Sequence, residues 1–357
     1  MNVLRLINIE NVTADMSLAK PIYQQTGSNI LLNNGCTNLP AYRDKLIKLG
    51  IHYIYVEDSC SKDIEINDVI SENTRIKSRK IIYDVMYNVM KGKNINMRQV
   101  NSAVENMMQD ILQNEEILIS LSDIRTNDEY TFGHSVNVAV LALVLGKALH
   151  YNKYKLKKLG VGALLHDLGK IKIPPEILNK PGKLTTEEFH IIEEHTKLGF
   201  DTVKSDWGIS PLSRTVILSH HEKMDGSGYP RGVKGEDIHE FARIVAICDV
   251  FDALSANRCY SPKWPINQVV AYLEENAGSQ FDEKLVNIFI EKVASYPNGS
   301  KVVLSDGRKG IVFAQNHDDP TKPIVRILED SGKRFSEENY YTVDLLEEKE
   351  VSITSAE

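Results

Sequence analysis

At 357 residues the chain is long enough for a full hydrophobic core and for more than one domain. Its 42 Lys and Arg against 49 Asp and Glu leave a formal charge of −7, which excludes a protein built to coat nucleic acid or an anionic membrane. The cysteines Cys36, Cys60, Cys248 and Cys259 show no Cys-x-x-Cys spacing and read as reduced thiols of a cytoplasmic protein, Cys248 as a small core residue.

Residues 1–64 alternate short apolar runs with turn signals such as Asn34-Gly35, while Ala41 to Leu49 has helical spacing, which predicts a small α+β module. No catalytic cluster or phosphate loop falls there, and a sensory, dimerising or capping role stays open. The N-terminus lacks the charged start, apolar run and cleavage site of a signal peptide. Over residues 65–121, Ile82, Val85, Met86, Val89, Val100, Val104, Met107, Met108 and Ile111 recur at spacings of three and four, giving amphipathic helices broken near Gly92. Such a helical linker pairs across a dimer or packs on the next domain, and a homodimer is the expectation.

Residues 122–295 are helical in pattern, with helices expected at Val138 to Leu149, Leu156 to Leu168, Thr186 to Gly199, Pro211 to His221, Phe241 to Ser255 and Ile266 to Glu275. Thr185 and Glu188 form a capping box, and the loops between helices are rich in Gly and Pro. The longest apolar stretch, Val138 to Gly146, is too short to span a bilayer, so no membrane partner is expected. Residues 296–346 change to short β-rich runs separated by turn pairs such as Asp306-Gly307, and 347–357 read as a charged, loosely ordered tail. With no interleaving of basic and aromatic residues, no nucleic acid polymer is expected as a partner. The fold class is therefore mainly α: a helical bundle between a small N-terminal α+β module and a small β-rich C-terminal module.

The chemistry gathers in the third segment. His166-Asp167 lies in an otherwise apolar helix, and an isolated pair of this kind reads as a hydrogen-bonded core pair. The other histidines change that reading. Eight of the ten fall between His134 and His239, among them His134, His166, His195 and the doublet His220-His221, and Asp249 follows the apolar run Ile244 to Cys248. Five imidazoles and two carboxylates suffice for two metals with positions left for water and substrate. A carboxylate has two oxygens and can bridge a metal pair. Mixed His and carboxylate donors suit Fe, Mn, Zn or Ni better than Mg or Ca.

The order His134, His166-Asp167, His195, His220-His221, Asp249, with Gly228-Tyr229-Pro230 after the doublet, resembles the HD superfamily of metal-dependent phosphohydrolases. Within it, the chain is similar to an HD-GYP domain from about 122 to 295. The resemblance implies one metal on His134, His166, Asp167 and Asp249 and another on Asp167, His195, His220 and His221, with Asp167 as the bridge. It implies hydrolysis of cyclic di-GMP to pGpG through a metal-bridging hydroxide, with the further step to GMP left open, and with Fe or Mn as the first choice and Zn or Ni as alternatives. Asp167 and Lys170 are the catalytic candidates, Lys170 stabilising phosphate charge one helical turn beyond the ligands, although alone it would read as a surface lysine. Arg258 matches a family position that reaches substrate phosphate, whereas Ser261 stands where the family often has a further base, with Lys263 nearby.

Some HD-GYP members place a Glu four residues before the first histidine for a third metal; here it is Tyr130, with Asp128 and Glu129 out of step, so two metals are expected. Gly228, Tyr229 and Pro230 would set the loop, shape a guanine pocket or dock a diguanylate cyclase. His150 and His190 read as packing or surface residues, His239 and His317 as loop residues. The rival readings are another cyclic dinucleotide such as cyclic GMP-AMP, and a scaffold that holds cyclic di-GMP without turnover. The complete set of seven ligand candidates favours turnover.

Overall fold

The computed structural model describes residues 5–23, 30–49, 51, 53–57, 59–61, 63–64, 68–113, 118–119, 130–255, 264–316 and 319–356. Two compact units divide the chain: Met1–Asp68 with Leu118–Asp128 and Val293–Glu357, and Val69–Ile117 with Glu129–Lys292.

In the first unit, the N-terminal strands β1 (Arg5–Asn8), β2 (Ser17–Leu18) and β5 (Tyr53–Glu57) form an antiparallel sheet in the order β1-β5-β2. A hairpin of β3 (Ile22–Tyr23) with β4 (Ile30–Leu32) and the helix α1 (Arg43–Lys48) complete this part. Ile9, Leu18, Leu39, Leu46 and Val56 make its core.

The C-terminal strands β6 (Lys301–Leu304), β7 (Lys309–Ala314), β8 (Ile324–Asp330), β10 (Tyr341–Asp344) and β11 (Ile353–Ala356) make a second antiparallel sheet in the order β10-β8-β7-β6-β11, with β9 (Lys333–Arg334) against β8. Period-two alternation buries Val325 and Ile327 of β8 on Val302, Val312 and Val343. The end of the chain departs from the sequence reading. Although charged composition predicts a loose tail over 347–357, Ile353–Ala356 pairs with β6, because the uncharged run Val351 to Ala356 offers a strand and Val351 and Ile353 pack on the sheet's core. Within this unit the two parts touch: Arg326 Nη1 donates to Cys60 O at 3.4 Å, and Cys60 Sγ lies 3.5 Å from the Tyr340 hydroxyl.

The second unit is a helical bundle. Among the described residues its helices, in chain order, are α2 (Glu72–Met90), α3 (Met97–Gln113), α4 (Tyr130–Ala148), α5 (Lys153–Leu165), α6 (Pro175–Leu178), α7 (Thr186–Glu193), α8 (His195–Val203), α9 (Pro211–Ser219), α10 (Glu240–Ser255), α11 (Ile266–Glu275) and α12 (Glu283–Ile290). Helix α4 is apolar all round and central, with every residue from Val136 to Leu145 buried between α5 and α10. The stripe Val100, Val104, Met107, Met108 and Ile111 buries α3 against α5, and α2 packs on α4. No helix among the described residues is long and apolar enough to cross a membrane.

The continuous helix expected from Thr186 to Gly199 is broken at Glu194. Two side chains take the carbonyls of the closing turn, His195 Nδ1 donating to Ile192 O at 2.7 Å and Thr196 Oγ1 to Glu193 O at 3.0 Å. His195 thereby becomes the first residue of α8.

Candidate metal centre

The bundle brings one face of α4 and α10 together with the ends of α5, α8 and α9. His134 comes from α4, His166 closes α5 and leads into Asp167, His195 opens α8, His220 closes α9 beside His221, and Asp249 comes from α10. Carbonyls of helix-closing turns orient three of the imidazoles. His166 Nδ1 donates to Ala163 O at 2.7 Å, His195 Nδ1 to Ile192 O, and His220 Nδ1 to Val216 O and Ile217 O at 3.1 and 3.2 Å. Each Nδ1 then carries the proton, and each Nε2 lone pair faces the centre.

The two Asp167 oxygens face opposite halves of the cluster. Oδ2 lies 3.3 Å from His166 Nε2 and 3.6 Å from His134 Nε2, while Oδ1 lies 3.5 Å from His195 Nε2 and 4.0 Å from His220 Nε2. Asp249 approaches from α10, with Oδ1 3.0 Å from His134 Nε2 and Oδ2 3.8 Å from His221 Nδ1. Ligand atoms of Asp167, His195, His220 and His221 all lie within 4.8 Å of one another, as do those of His134, His166 and Asp167, and those of His166, His220 and Asp249.

Two observations test whether this donor set fits a metal. His166 Nε2 and Asp167 Oδ1 are buried without a hydrogen-bond partner among the described residues, although both point into the cluster. An unsatisfied buried acceptor is costly, and a cation removes the cost. Imidazole nitrogens with carboxylate oxygens are the donors that divalent transition metals take, so the residues fit.

Charge is arranged to the same end. Burial alone would raise the carboxyl pKa of Asp167, but its interactions with the His166 ring and the Lys170 ammonium outweigh it and hold the group well below the usual range. Asp249 is held down in the same way, chiefly by its hydrogen bond and charge interaction with His134. Burial pulls His195 down to about 4 and His221 to about 3, and drives His220 well below its ordinary value, so these rings are neutral at pH 7. His134 goes the other way: burial disfavours its cation, yet hydrogen bonds to Asp249 and Asp252 raise it to about 9.

Lys170 Nζ donates to Asp167 Oδ2 at 2.6 Å and remains partly open to solvent. Between them Gly169 crosses α8 so closely that a Cβ would lie 1.9 Å from His195 O. The Gly228-Tyr229-Pro230 loop folds over the doublet. A Cβ at Gly228 would meet His221 O and Lys223 N, both at 2.4 Å, so only glycine permits the approach. The Tyr229 amide donates to His221 O at 3.2 Å, and its ring stacks on the His221 imidazole with centroids 4.7 Å apart.

The sequence reading missed two supporting groups. Glu222 is buried and accepts from the amides of Arg231 at 2.9 Å and Val233 at 3.1 Å, which pins the far side of the loop. Asp252, also buried, accepts from His134 Nδ1 at 2.6 Å. Its position three residues after Asp249, on one face of an apolar helix, was the available signal. Arg258, Ser261, Lys263, Asp128, Glu129, Cys259 and His317 lie outside the described residues, as does the Tyr130 side chain. His150 follows α4 in the left-handed region and is exposed, His190 is exposed beside Glu193, and His239 caps the Phe241 amide.

A family model described as the HD domain matches residues 106–285, half of the chain. The chain belongs to the HD domain family. A model of a KOW domain associated with the HD domain matches residues 301–357, the C-terminal sheet. Over 252 residues the chain is 34% identical to the cyclic di-GMP phosphodiesterase PA4108 of Pseudomonas aeruginosa, covering 71% of this chain and 61% of that protein. It is 33% identical to the 3'3'-cGAMP-specific phosphodiesterase 2 of Vibrio cholerae, over 60% of this chain and 40% of that protein. It is 37% identical to a cyclic di-GMP phosphodiesterase of Thermotoga maritima, over 49% of this chain and 48% of that protein. The chain thus spans about half the length of these relatives. Among solved structures, the HDG"Y"P protein Bd1817 of Bdellovibrio bacteriovorus matches with a TM-score of 0.51 at 16% identity, over 80% of this chain and 98% of that one, which supports the HD fold.

Proposed function

We propose that this HD-domain chain is a metal-dependent phosphodiesterase that hydrolyses cyclic di-GMP to pGpG, with GMP as the product if a second hydrolysis follows. One observation carries the reading: the two buried oxygens of Asp167 face two separate groups of imidazoles, the arrangement a bridging carboxylate needs. His134, His166, Asp167 and Asp249 would hold one divalent transition metal and Asp167, His195, His220 and His221 another, with Fe or Mn preferred over Zn or Ni. When bound, such a pair supplies a lowered pKa for water and positive charge for the phosphate oxygens.

The chain's own residues do the rest. Lys170 holds an ammonium at the open edge of the cluster, where the non-bridging oxygens of the scissile phosphate gain negative charge. Arg258 is the second phosphate contact, its guanidinium matching two oxygens at once. Tyr229, fixed on His221, offers a ring face for a guanine base, with Gly228 and Pro230 setting its loop. The same loop is the proposed contact for a diguanylate cyclase, and the working form is a cytoplasmic homodimer.

Cyclic GMP-AMP is the second reading, favoured by the likeness to the Vibrio cholerae relative and by Ser261 at a position where a base would grip phosphate. A chromatographic time course with protein purified without oxygen and supplied with Mn(II) or Fe(II), beside Asp167→Ala, tests the proposal. Disappearance of cyclic di-GMP with pGpG or GMP formed, absent in the variant, is expected, and competition with cyclic GMP-AMP ranks the substrates. A metal-loaded protein that turns over neither dinucleotide would refute it and leave binding without hydrolysis.

A further inference from the structure

A chain of buried polar side chains leads away from the metal centre to a helix outside the matched HD stretch. Asp252 Oδ2 accepts from His134 Nδ1 at 2.6 Å, its Oδ1 accepts from Asn137 Nδ2 at 3.0 Å, and Asn137 Oδ1 accepts from Arg75 Nη1 at 3.1 Å. His134, Asp252, Asn137 and Arg75 are all buried, none more than 5% exposed. Arg75 belongs to α2, ahead of residues 106–285. A guanidinium so deeply buried is rare and needs partners.

The direction of the chain is forced by the groups in it. A guanidinium only donates and a carboxylate only accepts. The Asn137 amide between them must therefore turn its oxygen to Arg75 and its nitrogen to Asp252. The carboxylate in turn requires Nδ1–H from His134, which leaves His134 Nε2 aimed at Asp249 and Asp167, 3.0 and 3.6 Å away. Arg75 itself is held where the chain enters the bundle. Ser71 caps α2 by accepting from the Thr74 amide at 3.2 Å, and the Ser71 amide donates to Asp110 of α3 at 2.8 Å.

We propose that Arg75 and Asn137 are positioning residues for the metal ligand His134, so that α2 is a working part of the metal centre. This rests on the metal-centre reading above. Without the Arg75 donor, the Asn137 carbonyl loses a partner that helps fix the amide's position, so its Nδ2 holds Asp252 less firmly and Asp252 in turn holds His134 Nδ1 less firmly.

The test is a titration of metal-free protein with Co(II), following its visible bands and competing with a chromophoric chelator, for wild type, Arg75→Met, Arg75→Lys and Asn137→Ala. Partners of a liganding histidine change metal affinity by about 10- to 100-fold, and Arg75, two links further out, is expected at the lower end, about tenfold. Arg75→Met should bind Co(II) about tenfold more weakly with altered bands, and Arg75→Lys, which keeps a donor, should recover most of the loss. The double variant Arg75→Met/Asn137→Ala should be no weaker than Asn137→Ala alone, because one path is cut twice.

Wild-type affinity and bands in folded Arg75→Met or Asn137→Ala would overturn the proposal, whatever happens to their melting temperature. If Arg75→Met does not fold, Asn137→Ala decides by the same two readouts. A wild type that binds Co(II) but hydrolyses no cyclic dinucleotide refutes the substrate reading and leaves this one standing. A wild type that takes up no Co(II) refutes both.

Discussion

Gly169→Ala is the most direct probe of the centre's tolerance, because it adds a single methyl group and replaces no ligand. The methyl carbon would lie 1.9 Å from His195 O, 2.5 Å from Gly199 N and 2.8 Å from His195 C. All three are backbone atoms of α8, so no side chain can rotate aside. Opening the first contact from 1.9 Å to 3.0 Å, below which real Cβ atoms essentially never approach, takes about 1.1 Å of backbone movement. That movement is shared between the turn after Asp167 and the first residue of α8, in a set whose ligand atoms span no more than 4.8 Å. Misplacement by about 1 Å costs on the order of 10²-fold in rate. Overpacking of this kind costs about 1–3 kcal/mol, at about 2–4 °C of melting temperature per kcal/mol for a unit of this size. Gly169→Ala should therefore stay helical by circular dichroism, melt a few degrees lower, bind metal more weakly and turn over about 100-fold more slowly at saturating metal. Wild-type metal affinity and turnover in the folded variant would refute the reasoning, since the contact would then relax without moving His195 or Asp167.

Two further outcomes follow from named groups. His134, raised to about 9, carries a proton at neutral pH that a metal must displace, whereas His195 at about 4 and His221 at about 3 carry none. Apparent metal affinity should thus rise about tenfold per pH unit between pH 6 and 8 and flatten above about 9, with calorimetry in two buffers reporting release of about one proton; a flat profile would show that His134 is already neutral. For the metal-free protein the sign reverses: the stabilisation from protonated His134 is complete below its ordinary 6.5 and is lost as pH rises through about 9. Glu222→Ala leaves two amides of the Gly228-Tyr229-Pro230 loop without their acceptor, at about 1–3 kcal/mol each, so hydrogen exchange at Arg231 and Val233 should quicken, and unchanged exchange there would count against Glu222 as the loop's anchor.

What could be read from the sequence follows the physics of each signal. The bundle was legible because α4 is apolar on every side and α10 nearly so, and burial in a helical core writes itself into composition over many residues. The gathering of His134, His166, Asp167, His195, His220, His221 and Asp249 was legible because two of the pairs are contiguous and all are chemically unusual in apolar surroundings. Asn137 and Arg75 were not, since a polar residue that supports a ligand leaves little mark of its own, and Asp252 was marked only by its spacing from Asp249. The break at Glu194 was also invisible: amphipathic spacing continues through it, and the interruption comes from side chains of His195 and Thr196 capturing carbonyls. The strand Ile353–Ala356 was hidden by the charged residues just before it, because pairing to β6 depends on a partner distant in sequence.

Two carboxylates, Asp167 and Asp249, are held ionised in a buried place, and three of the imidazoles beside them are made neutral by the same burial. The cluster therefore presents negative charge and unprotonated lone pairs together, a combination that favours a cation and disfavours a proton on most of its nitrogens. The positive charge available nearby sits on His134 and on Lys170, which donates to Asp167 Oδ2 at 2.6 Å. A divalent ion held by Asp167 and Asp249 would compete with both of those groups for the same oxygens. Loading the centre would then release a proton from His134 and loosen Lys170 from Asp167, leaving its ammonium for an incoming phosphate. His134 and Lys170 thus act on opposite sides of one balance: Asp252, Asn137 and Arg75 hold the first in place, while the second stays at the open edge, where the proposed substrate would meet it.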